Sequence, residues 1–297
     1  MNTKESSEKN RGPGSCTVSP DEIKSSVRER YAQIIGSDSK TSCNCQPAAS
    51  FEQAVKGKLT KSIGYSDDEL ESIPEDASQN SLGCGNPLVL AGVKEGEVVL
   101  DIGSGAGIDV LLASKKVGKT GTVIGLDMTP EMLERGKENA KRAEADNVEF
   151  RLGDAESMPI EDGTVDLIIS NCVINLSPDK KKVFQEVYRV LKPDGRILIS
   201  DIVNHNLPQM IKDDMKAWAE CVAGGLEEEE YLKIIREVGF ENVEIAGKIA
   251  ITEKMAEGLI SSGTHPEEAL SRFRKWQKEG FRDGMISSIK VRAVRTK

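Results

Sequence analysis

Histidine is almost absent from this chain: His205 and His265 are the only two in 297 residues, and neither sits in a motif. The side chain whose charge changes nearest neutral pH is thus missing as an obvious general base. Long apolar runs are lacking too. No stretch approaches the roughly 20 residues that a membrane-spanning helix needs, and Met1 to Glu8 has nothing of a secretory signal's apolar core. Excess positive charge is also absent, since 40 Lys and Arg against 49 Asp and Glu give a formal net charge of -9 and a pI near 5.1. Such a surface offers no footprint for nucleic acid or anionic membrane. No two of the six cysteines have zinc-ribbon spacing, and the closest pair, Cys43-Asn44-Cys45, is a poor chelate that reads as exposed thiols. These absences predict a soluble, cytoplasmic protein with no nucleic-acid or membrane partner and no structural metal. Cysteines in that compartment are expected to be reduced, which suits metal binding or redox catalysis better than a structural framework.

What is present begins in earnest after residue 86. Residues 1–20 read as a polar tail, 21–35 as a helix opened by Ser19-Pro20-Asp21-Glu22, and 66–71 as a short helical piece. Then strands and helices alternate: strands at 97–102, 122–126, 148–152, 165–170 and 196–200, helices at 106–116, from Pro130 with Thr129 as its capping residue, and at 180–191. That rhythm predicts an α/β fold with a doubly wound parallel sheet. After Asp201 it gives way to a helix near 209–222, an acidic helix start at Glu227-Glu228-Glu229-Glu230, and strands near 242–252 and 288–295. The expected organisation is a flexible tail, helix and cysteine loop over 1–55, a ligand-binding domain over 56–203, and a smaller C-terminal mixed α/β domain over 204–297.

The first strand runs into Asp101-Ile102-Gly103-Ser104-Gly105-Ala106-Gly107. Glycines there let the backbone turn tightly and leave no side chain between it and a ligand at the helix N-terminus. Asp127 closes the second strand 20 residues beyond Gly107, where a carboxylate accepts from two ribose hydroxyls. Nicotinamide binders share that device, but here the pattern is G-x-G-x-G and Asp101 stands two residues before the first glycine. Its carboxylate repels a pyrophosphate and attracts a ligand carrying ammonium and sulfonium. Asp154 and Ala155 follow the third strand, where an acid can accept from an adenine amine. These elements, over about 97–201, resemble the class I S-adenosylmethionine-dependent methyltransferases. The resemblance implies a Rossmann-like sheet and assigns the cofactor to Asp101, Gly103, Gly105, Asp127, Asp154 and Ala155, with Met128 against the adenine face.

Three further cysteines surround this pocket. Cys172 follows the fourth strand in Asn171-Cys172-Val173-Ile174-Asn175-Leu176, at an edge that faces the ligand crevice; by position alone it is as readily packing as substrate contact. Cys221, near a helix end in Glu220-Cys221-Val222-Ala223-Gly224, reads by itself as packing. Cys84, between Gly83 and Gly85, reads as an exposed thiol on a movable turn.

The three phrases together resemble the arsenite methyltransferases over roughly 55–260. Leu82 stands where some members have an aromatic, and Cys43 and Cys45 occupy a region where many members carry a cysteine cluster. The resemblance implies that Cys172 and Cys221 hold trivalent arsenic throughout, that Cys84 supplies the third thiolate and can later form a disulfide, and that thioredoxin or a small thiol returns the electrons. The implied substrates are arsenite or its thiol conjugates. A soft, pyramidal arsenic suits thiolates and leaves a lone pair for the methyl group, so no base is needed. The competing expectations are a quinone- or sterol-type C- or O-methyltransferase and a non-catalytic arsenite-binding protein.

Overall fold

The computed structural model describes residues 19–37, 64–79, 83–212, 224–255 and 266–297. The first half contains α1 (Pro20–Ser37), α2 (Asp67–Glu71), α3 (Glu75–Gln79), α4 (Leu88–Ala91), β1 (Val98–Ile102), α5 (Ile108–Val117), β2 (Thr122–Asp127) and α6 (Pro130–Arg142). The second contains β3 (Val148–Leu152), β4 (Val165–Asn171), α7 (Lys180–Val190), β5 (Leu191–Asn204), α8 (Gln209–Lys212), α9 (Glu228–Val238), β6 (Glu241–Ala250), α10 (Pro266–Lys278) and β7 (Ile286–Val294). Among the described residues no helix is long and apolar enough to cross a membrane.

The strands form one sheet in the order β3-β2-β1-β4-β5-β7-β6. β1 to β5 are mutually parallel, whereas β7 runs antiparallel to both β5 and β6. Val99, Leu100 and Ile102 of β1 and Leu167, Ile168 and Ile169 of β4 are all buried, as expected of central strands covered on both faces. One core layer joins α7 and α9 to the sheet, with Phe184 and Tyr231 meeting edge to face at 5.6 Å. The opposite layer is built on α5, with Leu111, Leu112 and Val117.

The two strands expected in the C-terminal part extend the same sheet: β7 pairs with β5 from Arg196 to Asn204, and β6 pairs with β7. Without β7, β5 would be an edge with a row of unpaired backbone groups. β5 begins earlier than the strand read at 196–200 and is irregular there: the partner of Val165 is Leu191 and that of Leu167 is Arg196, so Lys192–Gly195 bulges out. Asp194 takes a φ of +64° there, and its N–H donates to the Arg295 carbonyl. Thr129 occupies the N-cap of α6, but its side chain makes no capping hydrogen bond. The N-terminal tail, the Cys43–Cys45 loop and most of the helix expected near 209–222 lie outside the described residues.

Because Phe184 on α7 and Tyr231 on α9 are fully buried against each other, Phe184→Ala should cost about 3–5 kcal/mol. Urea unfolding followed by circular dichroism measures it. A loss below about 1 kcal/mol would show that this layer is not integral to the core.

Candidate active site

The sheet order reverses between β1 and β4, and the crevice at that reversal lies beyond their C-terminal ends. Gly103 leaves β1 with φ +74°, and a Cβ placed on it would come within 2.1 Å of Val173. The N–H groups of Gly103 and Ser104 donate to the Leu126 carbonyl at 2.7 and 3.0 Å, tying the glycine turn to β2. Asp127, at the end of β2, accepts from Gly105 N at 2.9 Å and from Thr129 N at 2.9 Å, one on each carboxylate oxygen. Each oxygen keeps a second lone pair for a ligand hydroxyl.

Asp101, Gly103, Gly105 and Asp127 line a single cavity. Met128, Asp154, Ala155 and Cys172 lie on its wall as well. The cavity is acidic. Burial, then the negative charges of Asp109 and Asp127, push the Asp101 carboxyl well above the usual range. Burial pushes Asp109 up to about 7, against hydrogen bonds from Tyr65 and Asn171. Asp127 is raised by burial too, opposed by the N–H groups of Gly105 and Thr129. For Asp154 burial is outweighed by Lys24, whose Nζ lies 2.7 Å from both Asp154 and Glu156, so this carboxyl stays below the usual range.

Cys84 and Cys172 are joined as a disulfide with their Cα atoms 5.8 Å apart across 88 residues of sequence. Cys172 is 5% exposed and takes a φ of +60°, its N–H donating to the Ser200 carbonyl at 2.8 Å. The Cys84 turn is not the open loop its glycines suggested. A Cβ on Gly83 would sit 2.2 Å from Asn171 Nδ2, and one on Gly85 would sit 2.4 Å from Ser200 Oγ. Here glycine serves close packing, and Ser288 Oγ on β7 donates to the Cys84 carbonyl at 3.1 Å. Cys221, Leu82, Cys16, Cys43 and Cys45 lie outside the described residues.

Sequence reasoning missed several residues of the cavity. Lys24, Val27 and Tyr31 bring α1 onto it, and Asp109 and Asn171 form part of its wall. An acid in the first turn of a helix, such as Asp109, reads from sequence as a favourable dipole partner and nothing more. Lys24 belongs to no motif, and only the docking of α1 brings it to Asp154.

A methyltransferase-domain family matches residues 93–239 of the chain. An arsenite methyltransferase of Halobacterium salinarum is 42% identical over 245 residues, covering 79% of this chain and 61% of the relative. One from Aquipseudomonas alcaligenes is 34% identical over 257 residues, 81% of this chain and 70% of the relative. The chain belongs to the arsenite methyltransferase family. Its fold is accordingly the class I S-adenosylmethionine-dependent methyltransferase fold. The crystal structure of an arsenic(III) S-adenosylmethionine methyltransferase from Chlamydomonas reinhardtii superposes with a TM-score of 0.62 at 32% identity, covering 80% of this chain and 73% of that one. This chain spans less than two thirds of the length of the Halobacterium relative.

The cavity suits the family's methyl donor. Asp101, Asp109 and Asp127 are carboxylates held at a desolvation cost. Lys24 is the basic side chain on the described wall, and it is engaged by Asp154 and Glu156. A ligand that brings an ammonium and a sulfonium supplies the missing positive charge, and its ribose hydroxyls match the remaining lone pairs of Asp127. The apolar surfaces of Met128 and Ala155 match an adenine.

The raised Asp109 carboxyl gives binding a pH dependence. With its pKa near 7, Asp109 holds a proton at pH 6. A cationic ligand favours the ionised form and expels that proton, so affinity strengthens as pH rises. S-adenosylhomocysteine, which keeps the ammonium, should bind roughly tenfold tighter at pH 8 than at pH 6, releasing about one proton. Calorimetry in buffers of different ionisation enthalpy reads both quantities, and an affinity independent of pH would exclude Asp109 as the responsive group.

Proposed function

We propose that this protein transfers methyl groups from S-adenosylmethionine to trivalent arsenic held by cysteine thiolates, turning arsenite or its thiol conjugates into methylated arsenicals. The observation that carries the reading is the pairing of Cys84 with Cys172, which lies on the wall of the cavity lined by Asp101, Asp109 and Asp127. Sulfur is the ligand a soft arsenic centre prefers, and carboxylates are the partners a cationic methyl donor prefers. Both sets converge on one crevice.

In this reading Cys172 and Cys221 hold arsenic through the reaction and Cys84 supplies the third thiolate. When bound, S-adenosylmethionine supplies a sulfonium methyl that the arsenic lone pair takes by in-line displacement, leaving S-adenosylhomocysteine. No proton leaves the nucleophile, which accords with the scarcity of histidine. The protein contributes mainly by holding the reacting groups in line, an effect that can reach about 7–11 kcal/mol. Transfer takes arsenic formally from +3 to +5, so two electrons must come back from thiols. Once the methyl group has moved, Cys84 and Cys172 can give them by closing their disulfide, which breaks the bond from Cys172 to arsenic and returns arsenic to +3, and thioredoxin or a small dithiol would reopen the disulfide in the cytoplasm.

Incubation of reduced protein with S-adenosylmethionine, a dithiol and arsenite should yield methylated arsenic, resolved by chromatography with elemental mass spectrometry. Cys172→Ser and Cys221→Ser should each abolish it. Cys84→Ser should lose turnover of arsenite while keeping turnover of already methylated arsenic. No methylated arsenic from wild-type protein that binds the cofactor would move the assignment to an organic methyl acceptor, methylated arsenic formed at wild-type rate by Cys172→Ser would overturn the thiolate role of Cys172, and arsenite binding without consumption of S-adenosylmethionine would make the protein a binder.

A further inference from the structure

Asn171, on the wall of the cofactor cavity, hydrogen-bonds the Cys84 turn, and a buried tyrosine outside that wall braces its amide against Asp109. Tyr65 is 3% exposed and lies in the core layer of α5, outside the cavity wall. Its hydroxyl donates to Asp109 Oδ1 at 2.9 Å and accepts from Asn171 Nδ2 at 3.2 Å. Asn171 Nδ2 also reaches Asp109 Oδ2 at 3.4 Å and the Gly85 carbonyl. The other end of the same amide, Asn171 Oδ1, accepts from Cys84 N at 2.9 Å and Gly85 N at 3.2 Å.

This chain of hydrogen bonds has a direction. An amide offers an acceptor at one end and donors at the other, and a tyrosine hydroxyl has a single proton to give. While Asp109 is ionised it takes the Tyr65 proton, so the tyrosine oxygen presents only lone pairs to Asn171. The NH2 group must then face Tyr65 and Asp109, which leaves Oδ1 facing the N–H groups of Cys84 and Gly85. Flipping the amide would set its oxygen against a carboxylate and its donors against two backbone N–H groups. When Asp109 carries a proton it can donate to Tyr65 instead, the tyrosine proton then turns toward the Asn171 NH2 group, and the clamp on the Cys84 turn is weakened, held only by the Gly85 carbonyl and the two backbone N–H groups. The charged groups bearing on Asp109 are Asp101, on the same cavity, and Glu69.

We propose that Tyr65 is a positioning residue that, through Asp109 and Asn171, links occupancy of the cofactor cavity to the thiol–disulfide equilibrium of Cys84 and Cys172. A cationic ligand beside Asp101 and Asp109 favours the ionised chain and so favours the clamped turn, in which Cys84 lies against Cys172. By reciprocity the disulfide form holds that ligand more tightly than the dithiol form, by the same factor. The inference rests on the proposed thiol chemistry, yet the disulfide equilibrium is measured without arsenic.

The test equilibrates full-length protein in glutathione redox buffers at pH 7, with and without saturating S-adenosylhomocysteine. Two glutathione thiols reduce the Cys84–Cys172 disulfide to two protein thiols and become glutathione disulfide, and alkylation followed by peptide mass spectrometry reads the ratio. Wild-type protein should shift toward the disulfide by roughly three- to tenfold on binding, within the range of typical coupling between sites. Tyr65→Phe should still form the disulfide but lose the shift. No shift in wild type, or an equal shift in Tyr65→Phe, overturns the proposal. If Tyr65→Phe fails to fold, the wild-type shift together with a matching difference in ligand affinity between oxidised and reduced protein decides the question. Arsenite methylation by a wild-type protein that shows no shift would sink the linkage and leave the proposed function standing.

Discussion

The parallel pairing of β1 with β4 is the constraint on which the rest of the site depends. Asp101 stands opposite Ile169 and Ile102 opposite Ser170, with Ser170 Oγ donating to the Ile102 carbonyl at 3.1 Å. Successive strands leave this pair in opposite directions, so no connection crosses above it and the two C-terminal ends open into one crevice. The glycine turn leaves one end and Asn171-Cys172 leaves the other. Two chemistries encoded some 70 residues apart thus become neighbours through a single register. A slip of one residue in this pairing would turn every side chain of β4 to the opposite face.

Burying acids at that edge is costly, and the structure meets the cost unevenly. Asp127 is supported by the N–H groups of Gly105 and Thr129, and Asp154 by Lys24. Asp101 has mainly repulsion around it, from burial, Asp109 and Asp127. A set of desolvated carboxylates arranged in this way is better explained by what binds there than by what it contributes to folding. Another buried acid, Asp201, behaves differently. Burial pushes it to about 7, but Ile202 N, Asn175 N and the Tyr231 hydroxyl all donate to it. It ties the end of β4 to α9 and has no place on the cavity wall.

Much of this was legible in the sequence because the informative features are local. An apolar strand ending in Asp101, a glycine turn and an acid closing the next strand each carry a backbone or charge requirement confined to a few residues. The alternation of strands and helices gave the parallel sheet for the same reason. Contacts between distant segments left no such trace. Nothing in Pro20–Ser37 announces that Lys24 will meet Asp154, nothing in Gly64-Tyr65-Ser66 points to Asp109, and the strands near 245 and 290 do not say which sheet they will join. The Cys84 turn was misread for a related reason: its glycines were taken as freedom, whereas Asn171 and Ser200 leave room for nothing larger.

Cys172 shows how these levels meet in one residue. Its φ of +60° is uncommon for a side chain with a Cβ, and such a conformation costs about 1–2 kcal/mol. The cost is borne because the backbone there must do three things within two residues. It ends β4, it sends the Cys172 N–H to Ser200 on β5, and it leaves the Asn171 amide free to hold the Cys84 turn. A glycine would relieve the backbone but remove the sulfur, and continuing the strand would carry the side chain away from the crevice. Strain at this position is therefore the local expression of a requirement set elsewhere, that a thiol from β4 meet one from a distant turn beside the acids at the end of β1.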